Sequence, residues 1–378
     1  MIQYTQVELL TLDGPAFRRV STAPPRPATD EEIPIIDLST IDGDLKAKET
    51  IATEVKAAAE NTGFFYIKNH GISEELIERA LTNARTFFEQ TDEQKDLVFH
   101  AKFKNSVGYH GVGSSQINIK ETKGLLPLQH VTSMDRKETF TLRYNPINDP
   151  SITDPTALLQ NEKYSYGGDD SLWKGVSHLP SFKDTTIEFW QRRLTLARKM
   201  IRIFALALNM PENYFDEVTT HPGADALYVH YPGSPEAISQ DVDAGRDIDV
   251  GIGSHTDIQC ITLLWQDMSG GLQVLSASDE WLHAKPIPGT LVVNIGDFLQ
   301  RLSNNKFKST VHRVYNRQTT SRYSMPFFLG FNPDSICRVV PSCIDEEHPA
   351  LYEPITCGKW HRDRLALAGS KGKMSAAS

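Results

Sequence analysis

The segment 249-DVGIGSHTDIQCITLLW-265 contains the residues that decide how this chain folds. It approaches His255 through a stretch punctuated by glycines and continues from Ile258 as a β-rich apolar run, which predicts a strand. His255 and Asp257 are two residues apart, so at the entry to a strand their side chains would project from one face. We therefore expect this pair to grip one metal ion.

A second strand-like run, 307-FKSTVHRVY-315, carries His312, which follows Asp257 by 55 positions. Two imidazoles and one carboxylate, with no cysteine, form the ligand set that holds a non-haem Fe(II) and leaves other coordination positions open. Because the third ligand comes from a separate strand, the arrangement needs a barrel or sandwich that closes on itself. The sequence thus predicts an iron centre that can react with O2.

A clamp for a carboxylate is predicted shortly after His312. Residues 316–321 contain no large apolar side chain and predict a turn, and 322-RYSMPFFLGF-331 then predicts a returning strand. Arg322 and Ser324 would share one face of that strand, near His312. A guanidinium fork and a hydroxyl can hold a carboxylate through bidentate, charge-assisted hydrogen bonds.

In this order and spacing, these motifs resemble the Fe(II)/2-oxoglutarate-dependent dioxygenases of the isopenicillin N synthase-like superfamily. The resemblance extends from about Ile33 to Leu365. Its N-terminal part includes 33-IPIIDLS-39, 62-TGFFYIKNHGI-72, Phe87-Phe88, Gly108-Tyr109 and 135-DRKETF-140. Its C-terminal part includes His255-Thr256-Asp257, 271-GLQV-274, 293-VNIGD-297, His312-Arg313-Val314 and Arg322-Tyr323-Ser324.

The resemblance implies that His255, Asp257 and His312 are the catalytic Fe(II) ligands and that 2-oxoglutarate chelates the metal. Arg322 and Ser324 would receive the distal carboxylate of this co-substrate. With O2, the co-substrate would be converted into succinate and CO2 while a C–H bond of a small organic molecule is oxidised. Hydroxylation, desaturation, ring closure and rearrangement all remain open as outcomes.

Tyr231 is a further candidate for binding the co-substrate. The segment 226-ALYVHYP-232 stands where plant-type relatives of this family carry an Asn-Tyr-Tyr-Pro pattern, whose Asn and second Tyr help to hold the co-substrate. Here Tyr231 matches and Val229 replaces the Asn. The replacement removes one polar contact and leaves the Arg-Ser clamp intact.

The substrate pocket is predicted from segments that would surround the metal. Residues 109–130, 228–230 and 328–331 are expected to form its walls, because binding residues concentrate on loops around a rigid scaffold. Tyr109, His230 and Phe328 are the candidate substrate residues. The core motifs are well formed, whereas the marks of hormone or flavonoid enzymes are incomplete, so we expect a role in specialised metabolite biosynthesis.

Four regions are predicted along the chain. Residues 1–32 form an extended leader, 33–180 an N-terminal region of α/β character that is rich in loops, 181–365 a long helix and the catalytic core, and 366–378 a disordered tail. The expected fold has a mainly β core with α-helices: the resemblance implies a double-stranded β-helix, or jelly roll, wrapped by helices from the N-terminal half.

Composition limits the partners. A net charge of −9 over 378 residues argues against nucleic acid and anionic membranes. The four cysteines show neither zinc-site spacing nor the density of a disulfide scaffold. No signal peptide and no apolar run of membrane-spanning length is found. We therefore expect a cytoplasmic protein with free thiols; the sequence does not indicate its oligomeric state.

Two alternatives stay open at this stage. In the first, the chain is an oxidase that works without 2-oxoglutarate, like isopenicillin N synthase, and the Arg-x-Ser pair binds the carboxylate of its substrate or of a co-reactant. In the second, the domain binds a metabolite as a sensor and has lost turnover.

Overall fold

The computed structural model describes residues 3–12, 14–113, 121–122, 135–161, 170–234, 236 and 250–374. Its strands, in chain order, are β1 (Tyr4–Thr11), β2 (Gly14–Ser21), β3 (Arg26–Pro27), β4 (Ile35–Asp37), β5 (Phe64–Lys68), β6 (Gly108–His110), β7 (Glu121–Thr122), β8 (Glu138–Leu142), β9 (Ala224–Tyr231), β10 (Val250–His255), β11 (Ile261–Gln266), β12 (Leu272–Leu275), β13 (Trp281–His283), β14 (Thr290–Ile295), β15 (His312–Tyr315), β16 (Arg322–Leu329), β17 (Ile336–Cys337) and β18 (Ile355–Thr356).

The α-helices of the described residues are α1 (Leu45–Glu60), α2 (Glu74–Phe88), α3 (Asp92–Asp96), α4 (Thr156–Leu159), α5 (Asp170–Gly175), α6 (Phe182–Ala207), α7 (Asp297–Leu302) and α8 (Cys357–Met374). Asp44 caps α1 by accepting from the Ala47 N–H, and Ser73 caps α2 by accepting from the Leu76 N–H. The N-terminal half thus contains helices, as expected, and α6 is the long helix that was predicted after residue 181.

Two sheets form the centre of the molecule. The larger has the strand order β4-β5-β14-β11-β16-β9-β8-β6, and the smaller has the order β10-β15-β12-β13-β3. Apolar side chains from both sheets pack together between them, among them Val229 and Tyr231 of the larger sheet and Leu272, Val274 and Val314 of the smaller one. The architecture is the predicted jelly roll, and β15 and β16 lie in different sheets although only six residues separate them.

The outer face of the larger sheet is covered by helices α1, α2 and α6. Helix α6 buries Phe189, Trp190 and Leu194 completely in this layer. Each large apolar side chain removed from water in this way contributes about 1.5–3 kcal/mol. This layer supports the strands that carry the site.

The N-terminal leader differs from the prediction. Instead of an extended, poorly packed segment, β1 and β2 pair along their whole length as an antiparallel hairpin. Val7 and Val20 of this hairpin are buried with Trp281 and Val311 of the core. The proline-rich stretch after the hairpin suggested an open leader, whereas alternating apolar side chains on the hairpin provide a face that packs.

The C-terminal tail also differs from the prediction. Helix α8 continues to Met374, so residues 366–374 are helical rather than disordered, and residues 375–378 lie outside the described part of the chain. Trp360 anchors this helix by donating from its indole Nε1 to the Ile258 carbonyl at 2.9 Å. In the described residues no helix is both long and apolar enough to cross a membrane, and all four cysteines are free, as expected.

Candidate active site

Three side chains converge between the two sheets. His255 ends β10, Asp257 lies in the connection to β11, and His312 begins β15. Asp257 Oδ1 is 3.8 Å from His255 Nε2 and 3.7 Å from His312 Nε2. All three residues are buried, and within the described residues they form the one cluster of His, Cys, Asp or Glu close enough to share a metal ion.

The three side chains converge as predicted, but His255 and Asp257 are brought together by a different backbone conformation from the one expected. His255 and Asp257 do not lie on one strand face, because the chain leaves β10 at His255 and begins β11 at Ile261. The Asp257 carbonyl accepts from the Asp297 N–H at 2.7 Å, which ties the connection to the start of α7. The carboxylate is therefore positioned by a bend in the backbone.

Both histidines are oriented by their own backbone. Nδ1 of His255 donates to the Gly253 carbonyl at 2.8 Å, and Nδ1 of His312 donates to the Thr310 carbonyl at 3.0 Å. A proton on each Nδ1 leaves each Nε2 with a free lone pair toward Asp257. The edge of the Phe64 ring packs against the His312 ring at 5.3 Å between centroids and limits its rotation.

The second carboxylate oxygen of Asp257 is fully occupied by protein donors. Asn294 Nδ2 donates to Oδ2 at 2.7 Å, and the Thr262 hydroxyl donates to the same atom. Thr262 and Asn294 face each other in the pairing of β11 with β14. These two donors leave Oδ1 as the oxygen that faces the histidines.

The protonation states suit a metal ligand set. Burial, with a further contribution from the neighbouring His312, lowers the pKa of His255 to about 3. Burial acts to raise the pKa of Asp257, but His312, His255 and the donors Asn294 and Thr262 outweigh it and lower that pKa. At neutral pH His255 is then neutral and Asp257 ionised, the forms that bind a cation.

The predicted clamp lies in the same cavity. Arg322 is buried on β16, its Nε donates to the Gly270 carbonyl at 2.5 Å, and its Nη2 donates to Gln266 Oε1 at 3.0 Å. The buried Nη1 has no hydrogen-bond partner in the described structure. A buried guanidinium N–H without a partner is costly unless a ligand supplies an acceptor.

Ser324 and Tyr231 complete this end of the cavity. The Ser324 hydroxyl donates to the Tyr231 hydroxyl at 3.5 Å, and the Tyr231 ring lies 4.7 Å from the Arg322 guanidinium carbon. Gly251 lets Tyr231 approach β10, because a Cβ at Gly251 would be 2.5 Å from the Tyr231 ring. Two N–H or O–H donors and an aromatic face thus surround a space that suits a carboxylate.

The cavity that holds these groups has a volume of about 390 Å³. The three converging residues, Arg322, Ser324 and Tyr231 all line it, and so does Phe328, as predicted. Its wall also includes residues that the sequence did not indicate, namely Lys137, Thr139, Thr141, Arg143, Asp225, Leu227, Gln259, His361 and Leu365.

The prediction is wrong for Tyr109 and His230, which lie behind the cavity wall. The Tyr109 hydroxyl donates to Glu138 Oε2 at 2.6 Å, and His230 Nδ1 bonds Glu138 Oε1 at 2.7 Å. Successive residues of a strand point to opposite faces, so Val229 and Tyr231 line the cavity while His230 points away from it. Most of the predicted loop wall, residues 114–120 and 123–130, lies outside the described residues.

Some residues of the site could have been found from the sequence. Thr262 and Asn294 are single polar residues inside the apolar runs 261-ITLL-264 and 292-VVNI-295, and both are buried. A lone polar side chain in such a run needs a buried partner. Gly270 gave no such signal, because it acts through its backbone carbonyl, which accepts a hydrogen bond from Arg322 Nε.

The comparisons with known families match this geometry. Residues 33–162 match the family described as non-haem dioxygenase in morphine synthesis, N-terminal, and residues 224–331 match the 2OG-Fe(II) oxygenase superfamily. A 2-oxoglutarate-Fe(II) type oxidoreductase, ppzC of Metarhizium majus, is 37% identical over 95% of this chain and 94% of its own length. The chain belongs to the 2OG-Fe(II) oxygenase superfamily.

Two further proteins are similar to this chain, one by structure and one by sequence. One is a full-length Neurospora crassa protein whose crystal structure was solved in complex with alpha-KG and thymine. Its sequence is 27% identical to this chain, and the two structures match with a TM-score of 0.68 over 91% of this chain and 99% of that one. A 1-aminocyclopropane-1-carboxylate oxidase of Dictyostelium mucoroides is 31% identical over 82% of this chain and 85% of its own length. The chain is an Fe(II)/2-oxoglutarate-dependent dioxygenase, with Fe(II) and 2-oxoglutarate as its cofactor and co-substrate.

Proposed function

We propose that His255, Asp257 and His312 hold the Fe(II), and that Arg322 and Ser324, with Tyr231 beside them, hold the distal carboxylate of 2-oxoglutarate. The observation that carries this assignment is the buried Nη1 of Arg322, which lacks a partner in the cavity that also contains the three ligands. A carboxylate supplies the missing acceptor, and the fork of the guanidinium fits it in two-point geometry.

In this proposal some residues hold the iron and the co-substrate, and others orient the residues that do so. The Nδ1 donations of the two histidines fix each Nε2 toward the metal, and Asn294 and Thr262 direct Oδ1 of Asp257 to it. Bound Fe(II) with 2-oxoglutarate supplies the activation of O2 that oxidises a C–H bond. The cavity walls exclude bulk water and place one substrate bond near the metal.

The substrate in this proposal is a small organic molecule of specialised metabolism. A cavity of about 390 Å³, lined by both apolar and polar side chains, is of the size that binds such molecules. The net charge of −9 gives no general attraction for nucleic acid.

Substituting one metal ligand tests the assignment. Asp257→Ala removes the anionic ligand and should abolish both iron binding and succinate formation, with circular dichroism unchanged because the two sheets do not depend on this side chain. Iron would be measured by elemental analysis after loading under argon. Asp30→Ala, at an exposed position, is the matched control and should retain both.

The same assay separates the two alternatives. An oxidase of the isopenicillin N synthase type would consume O2 with its substrate in the absence of 2-oxoglutarate. A metabolite sensor would form no succinate with any ligand. Full iron binding and turnover in Asp257→Ala would rule out the three-ligand site.

A further inference from the structure

The end of the cavity away from Arg322 carries its own pair of charged side chains. In the antiparallel pairing of β16 with β9, Arg322 lies opposite Tyr231 and Phe328 lies opposite Asp225. Phe328 is six residues after Arg322, about 20 Å along an extended strand. β8 pairs with β9 so that Thr141 faces Leu227, and Arg143 is two residues further along, in line with Asp225.

Arg143 is a cation in the wall of this cavity that has no partner among the described residues. It lines the cavity, is half-buried, and forms no hydrogen bond or ion pair with any described residue. Its Nε is buried and lacks an acceptor. A guanidinium offers five donors, so the side chain can bind a carboxylate as its counterpart at the other end of the cavity does.

Asp225 and Gln259 provide acceptors at the same end of the cavity as Arg143. Gln259 Nε2 donates to Asp225 Oδ2 at 3.2 Å, which fixes both side chains in the cavity wall. The Oε1 of Gln259 is buried and has no partner in the described structure. Asp225 accepts this one hydrogen bond, and a carboxylate can accept several. The far end therefore offers donors from one residue and acceptors from two.

Other titratable groups that face this space do not cancel the pair. Burial lowers the pKa of His361, on α8, and lowers that of His110 to about 4, so both imidazoles are neutral at neutral pH. Lys137 also lines the cavity, but its Nζ lies 3.7 Å from Asp135 Oδ2 and it belongs to the Tyr231 end of β9 by register. The local charge pattern at the far end is one cation next to one anion.

We infer that Arg143, with Asp225 and Gln259, forms a substrate-anchoring site for a small molecule that carries a carboxylate beside an amino group or amide N–H, that is, an amino acid or a derivative of one. The inference rests on the proposed function, because it places the substrate in the cavity of the proposed iron site. The carboxylate pairs with Arg143, and the N–H groups donate to Asp225 and Gln259. Each orphaned atom then gains a partner of opposite polarity.

Calorimetry under argon tests this site without turnover. The full chain, loaded with Fe(II) and 2-oxoglutarate, is titrated with the twenty protein amino acids and their N-acetyl derivatives. For each compound that binds, the matching amine, which lacks the carboxylate, and the matching des-amino acid are titrated too. We expect at least one amino acid or derivative to bind, and both truncated analogues to bind about tenfold or more weakly.

Variants of Arg143 test whether this residue binds the carboxylate of the amino acid. Arg143→Leu should weaken the amino acid about tenfold or more while weakening the carboxylate-free amine little, because the amine never used the guanidinium. Arg143→Lys should recover part of the loss. Arg18→Leu, which removes the same charge from an exposed position on β2, should bind all probes like the original chain.

Three results would overturn the inference: no amino acid or derivative binds, the amine binds as tightly as its amino acid, or Arg143→Leu weakens both alike. The comparison of amino acid with amine needs no variant, so it decides even where Arg143→Leu fails to fold. Failure of the proposed function is separate, because it appears as absence of 2-oxoglutarate binding before any probe is added.

Discussion

The carboxylate of Asp257, a proposed iron ligand, is oriented by neighbouring side chains. One of its oxygens is held by Asn294 and Thr262, which leaves the other to face the two histidines. The hydrogen bonds also favour the ionised carboxylate, which burial alone would disfavour. The affinity for iron should therefore depend on residues that do not contact the metal.

Asn294→Ala tests this dependence. Loss of the amide donor frees the carboxylate to rotate and raises its pKa, so iron affinity should fall about 10–100-fold. Titration of the protein with Fe(II) under argon would measure it. Asn213→Ala, at an exposed position, is the control, and an unchanged affinity in Asn294→Ala would mean that Thr262 and the backbone orient Asp257 without the amide.

Phe328 lines the same cavity at the end away from Arg322, where we propose that the substrate binds. It lies opposite Thr262 on one side and Asp225 on the other. In Phe328→Ala the substrate loses a wall, so succinate should form in excess of oxidised product, because a small displacement of the reacting C–H bond costs more in rate than in binding. Succinate and product would be quantified together. Equal losses of both, with weaker 2-oxoglutarate binding, would place Phe328 at the co-substrate instead.

Candidate site residues with a distinctive residue type and motif spacing were predictable from the sequence. Residues whose place in the cavity depends on how the strands pair were not. His255, Asp257, His312, Arg322 and Ser324 are recognisable because they combine rare chemistry with motif spacing. Which of Val229, His230 and Tyr231 faces the cavity depends on the pairing of β9 with β8 and β16, and no local pattern gives that pairing. The free state of Arg143 is equally invisible before its neighbours are placed.

At the scale of elements, a buried ionic cluster joins the cavity wall to the helices behind it. Glu138 on β8 accepts from Lys95 Nζ at 3.0 Å and from the Tyr109 hydroxyl, and it bonds His230 of β9. Burial acts to raise the pKa of Glu138, but His230, Tyr109 and Lys95 lower it below its ordinary value. The cluster fixes the strands whose other faces line the cavity.

Glu138→Gln should lower the free energy of unfolding by about 1–3 kcal/mol at neutral pH, because the charged acceptor for buried Lys95 and for half-buried Tyr109 and His230 is lost. A folded-state pKa below the unfolded one means that this contribution is fully present above about pH 4.3 and is lost as pH falls through the folded value. Urea unfolding at neutral pH and at a series of values below about pH 4.3 would follow the difference between variant and original, which should shrink as the pH falls. Glu89→Gln, at an exposed position, should show little change, and a difference that grows with acidity would contradict the assignment.

The helices and the strands of the core follow their sequence patterns, whereas the two ends of the chain do not. The long helix α6 and the presence of helices in the N-terminal half were predicted. The β1–β2 hairpin gains its stability from Trp281, which lies more than 250 residues away. Helix α8 is held by contacts of Trp360 with Ile258 and of Arg364 with Asp297. Such long-range contacts cannot be inferred from the local sequence.

At the scale of the molecule, the two sheets bring together groups that are distant along the chain. β10 and β15 of the smaller sheet supply the histidines, and β16 of the larger sheet supplies Arg322 and Ser324. We therefore expect two separable sites, one for the metal and one for the distal carboxylate of 2-oxoglutarate. A ligand that binds only the folded chain raises its stability by mass action, about 2.7 kcal/mol at a concentration one hundred times its Kd.

Thermal unfolding under argon, without ligand, with Fe(II), and with Fe(II) plus 2-oxoglutarate, tests this separation most directly. The original chain should gain stability at each addition. Arg322→Leu should keep the gain from Fe(II) and lose most of the gain from 2-oxoglutarate, since removing one partner of a buried charge pair costs about 2–5 kcal/mol. Asp257→Ala should lose both gains. An undiminished 2-oxoglutarate gain in Arg322→Leu would contradict the assignment of two sites.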